Sequence, residues 1–293
     1  MESVKQFCES VYGQTYSSTR DALLTAAVDN AKNEYVSEAK EKEIEVASQK
    51  EAIKQSILKS MEKFPDADAS DIWRNIYEIH VHMKSGIDDS AIIEKVISAD
   101  QSWKKSSGHA FEELVKLLGS MALKDSGIEI VLQRDLNTLI KADELANEPR
   151  DISWLKEQIK GSVFDLYALV NRNDKKYCYG CIQSKTSIRD RVTRDREPSI
   201  QAMKSFFWSV IIVLDGDFLK LPKFTAMVNG DSKEFPTNGW HSMFVFSKKY
   251  SKDRIFPTDL NFTNFKEQAV EAAEFWLNQR QWFDSTWRTG CLV

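Results

Sequence analysis

Cysteine, glycine and proline are scarce in this chain. Its 293 residues include 4 Cys, 11 Gly and 6 Pro. Four cysteines in a chain of this length are too few for a disulfide framework, so we expect reduced thiols. The low glycine and proline content excludes collagen-like and low-complexity proteins, and 42% hydrophobic residues predict a globular fold.

Long apolar runs are also missing. The longest, Phe206 to Leu214, is far shorter than the ~20 residues that a membrane-spanning helix needs. The N-terminus lacks the basic start and apolar stretch of a secretory signal, so we expect a cytoplasmic protein without membrane association. The net charge of -4 excludes a chain that is basic throughout, but it leaves room for a local basic surface.

The first hundred residues have the pattern of an all-helical region. Between Ala31 and Lys63 there is no Gly or Pro, and seven Lys and seven Glu surround a thin apolar stripe. This pattern predicts a long solvated helix that ends at Phe64-Pro65. A second helix is predicted over 70–84, and a third begins near Asp88. We therefore predict two domains, an N-terminal helical region at 1–100 and an α/β domain at 101–293.

Mixed α/β structure is predicted after Trp103. Ser106-Ser107-Gly108 precedes a predicted helix at 109–123, and a short β-segment follows at 127–132. The remaining predicted elements are a β-hairpin with strands at 162–170 and 177–185, strands at 210–214, 224–228 and 243–246, and a closing helix at 264–282.

The hairpin carries a group of polar residues at one end. Asp165 lies on its first strand, and Gln183 and Lys185 share one face at the end of its second. Asp165 joins that face if the paired positions sum to an even number such as 348. A carboxylate beside an ammonium at a strand end can help to hold a divalent cation while the lysine orients a water or stabilises negative charge. An ordinary surface ion pair is the alternative interpretation.

A basic segment follows directly. From Lys185 to Arg196 there are five basic and two acidic residues, although the whole chain is acidic. Arginine can bind guanine O6 and N7 with two hydrogen bonds, and aspartate can accept from cytosine N4. Arg189-Asp190-Arg191 therefore has the groups needed to read C·G pairs, with a salt-bridged surface turn as the alternative. A helix is predicted next at 199–207, with Pro198 in its first turn.

Cys178 and Cys181 form a CxxC pair, which is a common metal or redox motif. On a regular strand, residues three apart point to opposite faces, so these two sulfurs could not share a metal. The chain contains no second CxxC. We therefore expect no zinc site.

Two of these segments together resemble a nuclease family. Lys185-Thr186-Ser187-Ile188-Arg189-Asp190-Arg191 is similar to the K-x-[ST]-x-[RK]-x-(D)-R segment of type II restriction endonucleases that cut CCGG, CCNGG and CCWGG sites. Ser107-Gly108-His109-Ala110-Phe111-Glu112 is similar to a Ser-Gly-x-Ala-Phe-Glu segment of the same branch, which belongs to the PD-(D/E)XK superfamily. The resemblance covers about residues 102–205 and implies an α/β endonuclease-like core, with a central mixed sheet flanked by helices.

The resemblance also implies roles for individual residues. Asp165 would bind the metal, Lys185 would be the catalytic lysine, and Glu112 would be a catalytic glutamate near the metal. The second metal-binding and catalytic carboxylate would come from the next helix. Glu197 is the natural candidate there, although it lies one position earlier than in the family, and Asp195 is a possible substitute. The residues that would contact DNA are Arg189, Asp190, Arg191 and Arg194.

Two positions depart from the superfamily pattern. Phe164 replaces the proline of "PD", which is often missing. Gln183 occupies the position of the orthodox second carboxylate, and glutamine is a poor substitute for a charged metal ligand.

The implied function is that of a Mg²⁺-dependent type II restriction endonuclease, an enzyme that hydrolyses double-stranded DNA at a site containing CC/GG pairs. The products would carry 5′-phosphate ends. A palindromic site implies a homodimer or a larger homo-oligomer. Two alternatives stay open: a repair or junction nuclease of the same fold, and a non-catalytic helical DNA-binding or adaptor protein in which the Asp165–Lys185 pair is structural.

Overall fold

Helices precede a six-stranded sheet in the chain, and further helices connect its strands. The computed structural model describes residues 3–30, 36–67, 69–87, 89–187, 192–246 and 251–290. The helices are α1 (Val4–Asn30), α2 (Glu38–Lys63), α3 (Ala69–Ser85), α4 (Ser90–Ala122), α5 (Gln133–Lys141), α6 (Pro149–Lys160), α7 (Val192–Lys204), α8 (Pro222–Asn229) and α9 (Thr263–Gln279). The strands are β1 (Ile128–Leu132), β2 (Leu166–Arg172), β3 (Lys175–Ser187), β4 (Trp208–Asp215), β5 (Ser242–Val245) and β6 (Ile255–Pro257). Short 3-10 turns occur at Asp217–Lys220 and Arg280–Trp282.

The chain divides into two compact units, Met1–Ser102 and Trp103–Val293. The described residues of the first unit form helices without strands, as expected for the N-terminal region. The assignment of separate domains at 1–100 and 101–293 stays a prediction. None of the helices in the described part of the chain is long and apolar enough to cross a membrane.

The first unit has a core with many small polar residues. Buried Ser48, Ala52, Ser56 and Ser60 recur every four residues along α2, so their small side chains let a neighbouring helix approach closely. The Sγ of Cys8 in α1 lies 3.1 Å from the Oγ of Ser60. The predicted solvated helix is therefore confirmed from residue 38 onward, while residues 31–35 lie outside the described part of the chain.

The sheet has the strand order β1-β2-β3-β4-β5-β6. The pairs β1–β2 and β2–β3 are antiparallel, and the three remaining pairs are parallel. A parallel pair needs a long crossover connection, and α7 supplies the one between β3 and β4. This mixed sheet flanked by helices confirms the predicted fold class.

The predicted hairpin is formed by β2 and β3. Asn173 and Asp174 between them have φ angles of 53° and 59°, as a tight two-residue turn of type I′ requires. Leu166 pairs with Ile182, so the register next to the polar residues sums to 348, a value that puts Asp165 on the face of Gln183 and Lys185. Asp165 directly precedes β2, whereas the sequence predicted that the strand starts before it.

A β-bulge changes the alternation of side chains along β3. The register shifts between Ala168 and Leu169 of β2, which leaves one extra residue in β3. As a result Cys178 and Cys181 are buried in the same apolar cluster, on one face of the sheet. The expectation that their side chains point to opposite faces is wrong. Both are free thiols, and burial raises their pKa values, which favours the protonated form.

The sheet is covered on both faces. On one face, the buried side of α4 packs with α9 against the sheet through residues such as Phe111, Val115 and Phe265. The α5, α6 and α7 helices cover the other face, with Leu136, Leu155 and Ala202 among the buried residues. The interior of the second unit is therefore divided into two apolar layers by the sheet.

Three predicted elements need correction. Ser106-Ser107-Gly108 does not precede a new helix, because α4 runs through it from Ser90 to Ala122. One helical glycine costs only about 1 kcal/mol, and the burial of the apolar face of α4 offsets it. The predicted strand at 224–228 is the helix α8, with Pro222 in its first turn and Gly230 in a left-handed C-terminal cap. Finally, α7 begins at Val192, so Pro198 lies inside this helix. The elements α5, α6 and β6 were not predicted.

Buried polar side chains hold the C-terminal segment on the sheet unit. Arg254, which is only 4% exposed, donates hydrogen bonds to the carbonyls of His241, Thr286 and Trp287. His241 accepts from the backbone N–H of Ser209 through Nδ1 and donates to the carbonyl of Asp284 through Nε2. The imidazole of His241 is therefore neutral in the folded chain, and burial lowers its pKa to about 3.

We expect acid to destabilise the fold through His241. Between about pH 6.5 and 3 the unfolded chain binds a proton at this residue that the folded chain does not, so the free energy of unfolding falls as the pH falls. The slope from one such group is at most about 1.4 kcal/mol per pH unit. Urea unfolding followed by tryptophan fluorescence at a series of pH values measures this slope.

The variant His241→Gln should show a weaker dependence of stability on pH in this range. The control is His82→Gln, at an exposed histidine of α3, which should behave as the wild type does. An unchanged slope in His241→Gln would contradict the assignment.

Candidate active site

Asp165 and Lys185 meet at the end of the β2–β3 hairpin. The Nζ of Lys185 lies 3.1 Å from the Oδ2 of Asp165, and the backbone N–H of Ser184 donates to the same oxygen at 2.7 Å. Both side chains are partly accessible, with 27% of Lys185 and 19% of Asp165 exposed. The carboxylate is therefore held by the strand that carries the lysine, while one edge of the pair faces solvent.

Glu112 approaches this pair from α4. Burial raises the pKa of Glu112 above its usual range, and the charge of Asp165 adds to that increase. A hydrogen-bond contact with His109 and the charge of Lys185 act in the opposite direction. The Nδ1 of His109 lies 3.3 Å from the Oε2 of Glu112. The structure thus brings Asp165 and Lys185 into contact and places Glu112 close enough to both for their charges to act on it.

The side chain of Gln183 is buried and does not face the solvent-accessible end of the hairpin as a metal ligand would. It is 1% exposed, its Nε2 donates to the carbonyl of Asp195 at 3.0 Å, and its Oε1 accepts from the indole N–H of Trp240 at 2.8 Å. Both ends of the amide are therefore used inside the protein. Gln183 connects β3 to α7, which is a role that the sequence pattern did not indicate.

The two candidate carboxylates on α7 lie on different faces of the helix. Asp195 precedes the buried Ser199 by four residues and the buried Ala202 by seven, so it shares the side that faces the sheet. Glu197 is exposed and accepts a hydrogen bond from Gln201 at 2.8 Å on the solvent side. This placement does not favour Glu197 as a metal ligand.

The predicted DNA-contacting residues are only partly described. Arg189, Asp190 and Arg191 lie outside the described residues. Arg194 is exposed at the start of α7. Arg196, which contributes to the basic segment in the sequence, instead donates to backbone carbonyls within the protein. Its main partner, Thr237, lies 41 positions later, and no sequence pattern connects the two.

The described residues contain no group of three or more His, Cys, Asp or Glu side chains arranged to hold a metal. Asp165 and Glu112 supply two carboxylates, and both hydrogen bonds described for Asp165 go to its Oδ2. Magnesium is commonly bound by one or two carboxylates together with waters and substrate phosphates. The donor set at the hairpin end fits that kind of site.

Comparisons with known proteins agree on one family. The family described as "BsaWI restriction endonuclease type 2" matches residues 149–282. A solved structure, the pre-specific complex of the restriction endonuclease BsaWI with DNA, resembles this chain with a TM-score of 0.78. The two sequences are 52% identical, and the match covers 99% of this chain and 100% of the BsaWI chain. The chain belongs to the BsaWI family of type II restriction endonucleases. This result confirms the predicted enzyme class and superfamily.

A more distant relative of this BsaWI-family chain is the type II restriction enzyme AgeI of Thalassovita gelatinovora. The two sequences are 28% identical over 175 residues. This segment is 57% of the present chain and only 56% of AgeI, so the chain spans little more than half of that relative. The family match at 149–282 includes Asp165, Lys185, Asp195 and Glu197 but not Glu112.

The hydrogen bonds of Gln183 predict that a glutamate would not be tolerated there. Gln183→Glu would replace the donor to the Asp195 carbonyl by a second acceptor and would bury a charge. We expect the free energy of unfolding to fall by about 1–3 kcal/mol. The control Gln201→Glu makes the same chemical change on the exposed face of α7 and should cost about 0.5 kcal/mol or less. Urea unfolding compares them, and equal losses would contradict the role of Gln183.

Proposed function

We propose that this BsaWI-family chain is a Mg²⁺-dependent endonuclease of a restriction-modification system. It hydrolyses double-stranded DNA at a specific site that contains CC/GG pairs and leaves 5′-phosphate and 3′-hydroxyl ends. The observation that carries the proposal is the contact of Lys185 with Asp165 beside Glu112, at the solvent-facing end of a hairpin. Such a grouping of two carboxylates and an ammonium is suited to phosphodiester hydrolysis.

Asp165 and Glu112 would hold the metal. Enzymes of this family generally use a divalent metal, and a cation held by these two carboxylates would offset the repulsion that the charge of Asp165 exerts on Glu112. When bound, Mg²⁺ supplies polarisation of the scissile phosphate. The lysine lies on the same strand end as the carboxylate, so its ammonium can orient the attacking water and stabilise the negative charge that develops on the phosphate.

Asp195 is the better candidate for a further carboxylate of this site. It lies on the sheet-facing side of α7, and its carbonyl accepts from Gln183, two residues before Lys185 on β3. Glu197 faces solvent beside Gln201. The carboxylate of Asp195 can reach the site more directly than that of Glu197, because the backbone of α7 does not lie between Asp195 and the sheet.

Recognition of DNA would use the segment between Lys185 and α7. The triplet Arg189-Asp190-Arg191 has donors for guanine and an acceptor for cytosine N4, and Arg194 is exposed next to it. A two-fold symmetric site would be read by a homodimer or a larger homo-oligomer, since an isologous pair of subunits mirrors the symmetry of a palindrome. A restriction enzyme meets foreign DNA in the cytoplasm, and we place this protein there.

Digestion of a sequenced plasmid with Mg²⁺ tests the activity directly. We expect a few discrete fragments, with ends that map to one sequence and carry 5′-phosphates. Lys185→Ala should lower the cleavage rate by at least about a hundredfold, because the developing charge loses its nearest ammonium. Specific DNA binding in Ca²⁺, measured by gel shift, should stay within about threefold of the wild type.

Two outcomes would contradict this proposal. Cleavage that survives Lys185→Ala would remove the lysine from the reaction. Nicking of branched DNA without discrete plasmid fragments would instead indicate a junction nuclease.

The choice between the two acidic residues of α7 has its own test. Asp195→Asn should reduce cleavage by about a hundredfold or more, because a neutral amide is a weak metal ligand. Glu197→Gln makes the same change on the solvent face and should leave the rate within about threefold. The reverse result, with Glu197→Gln inactive and Asp195→Asn active, would restore Glu197 as the metal ligand.

A further inference from the structure

The first turn of α7 is weakly joined to the rest of its helix. Pro198 lies at the seventh residue of α7 and has no N–H, so it cannot donate to the carbonyl of Arg194. Its ring also crowds that carbonyl. Residues 192–197 therefore lack part of the hydrogen bonding that holds a regular helix together. This turn carries both Arg194 and Asp195.

Arg196 compensates by binding the turn to another part of the second unit. Its Nε donates to the carbonyl of Met227 at 3.3 Å, and its Nη2 donates to the carbonyl of Thr237 at 2.5 Å. The same Nη2 lies 3.3 Å from the Oγ1 of Thr237. The guanidinium also lies over the ring of Phe235, at 5.3 Å from its centroid.

The position of Arg196 depends on a glycine. A Cβ at Gly239 would lie 2.7 Å from the carbonyl oxygen of Met227 and 3.0 Å from the Cγ of Arg196. Both approaches are closer than ordinary van der Waals contact. Only a glycine leaves room for the Arg196 side chain to pass along this segment in its present course.

A second contact holds the same turn from the side of the sheet. There the amide of Gln183 donates to the carbonyl of Asp195, the residue next to Arg196. We use the name α7 clamp for two sets of hydrogen bonds: that of Gln183 to the carbonyl of Asp195, and those of Arg196 to the carbonyls of Met227 and Thr237. The clamp fixes the turn to β3 on one side and to the segment 227–237 on the other.

We propose that Arg196 is a positioning residue for DNA cleavage, which holds the first turn of α7 so that Asp195 faces the candidate site. This inference rests on the proposed function. The guanidinium is occupied by carbonyls of Met227 and Thr237, so Arg196 acts through the position of its neighbours and not as a contact to a DNA phosphate.

Three variants separate positioning from charge. Arg196→Met removes the hydrogen bonds and the charge but keeps an unbranched apolar stem. Gly239→Ala keeps the charge of Arg196 but crowds its Cγ and the carbonyl of Met227 to which it donates. The control Lys204→Met removes one positive charge from the exposed last turn of the same helix. If Arg196→Met does not fold, Arg196→Lys replaces it, because a lysine cannot donate to both carbonyls in the same geometry.

Each variant is measured in three ways: by the single-turnover rate of cleavage, by DNA binding in Ca²⁺ at several salt concentrations, and by amide hydrogen exchange of residues 192–197. We expect Arg196→Met and Gly239→Ala to accelerate exchange in this turn and to lower the cleavage rate by about tenfold or more. The slope of binding against salt should stay unchanged in both variants. The control should match the wild type in all three measurements.

Other outcomes would overturn the inference. A slope lowered by about one in Arg196→Met, with normal exchange, would make Arg196 a phosphate contact. Faster exchange with an unchanged cleavage rate would make the clamp purely structural. A wild-type chain that cleaves no DNA would overturn the proposed function, whereas the exchange data would still decide whether Arg196 holds the turn.

Discussion

The candidate site depends on one contact, between the Lys185 ammonium and the Asp165 carboxylate. The two residues are 20 positions apart in the sequence, and the register of β2 against β3 brings them within 3.1 Å. A register shift of one residue would turn every side chain of one strand to the other face of the sheet and separate the pair. The tight turn at Asn173 and Asp174 fixes the hairpin at its far end. The geometry of the site is thus set by the turn at the opposite end of the two strands together with the bulge at Ala168 and Leu169, which shifts the register by one residue.

The helix after the hairpin shows how the site departs from the superfamily pattern. The glutamine at 183 occupies a position where the orthodox pattern has a carboxylate, and both ends of its amide are satisfied inside the protein. A charged group there would be buried without a suitable donor. Gln183 instead connects β3 to α7, and the acidic residue that we assign to the site lies on that helix. Because Gln183 joins two elements and does not face the metal site, this chain departs from the superfamily pattern at that position.

Much of the fold could be predicted from local patterns. The predictions that were wrong have identifiable physical causes. The hairpin follows from apolar segments on either side of a polar turn, and β4 follows from a buried apolar run. The strand predicted at 224–228 is a helix, because the apolar run was read without the Pro222 start and Gly230 end signals. Regular alternation along β3 fails at the bulge, where the partner strand decides which residue is left over. Pairing between strands is not encoded in the residues of one strand alone.

The sequence by itself determined the candidate chemistry: a carboxylate and a lysine on adjacent strands, a glutamate on an earlier helix, and a basic segment between strand and helix. Short motifs carry this information because neighbouring positions on one element have a fixed spacing. Only the tertiary structure decided that Asp195 faces the sheet while Glu197 faces solvent, and that Arg196 binds carbonyls 31 and 41 residues away. Those choices depend on packing between distant segments, which leaves no periodic signal in the chain.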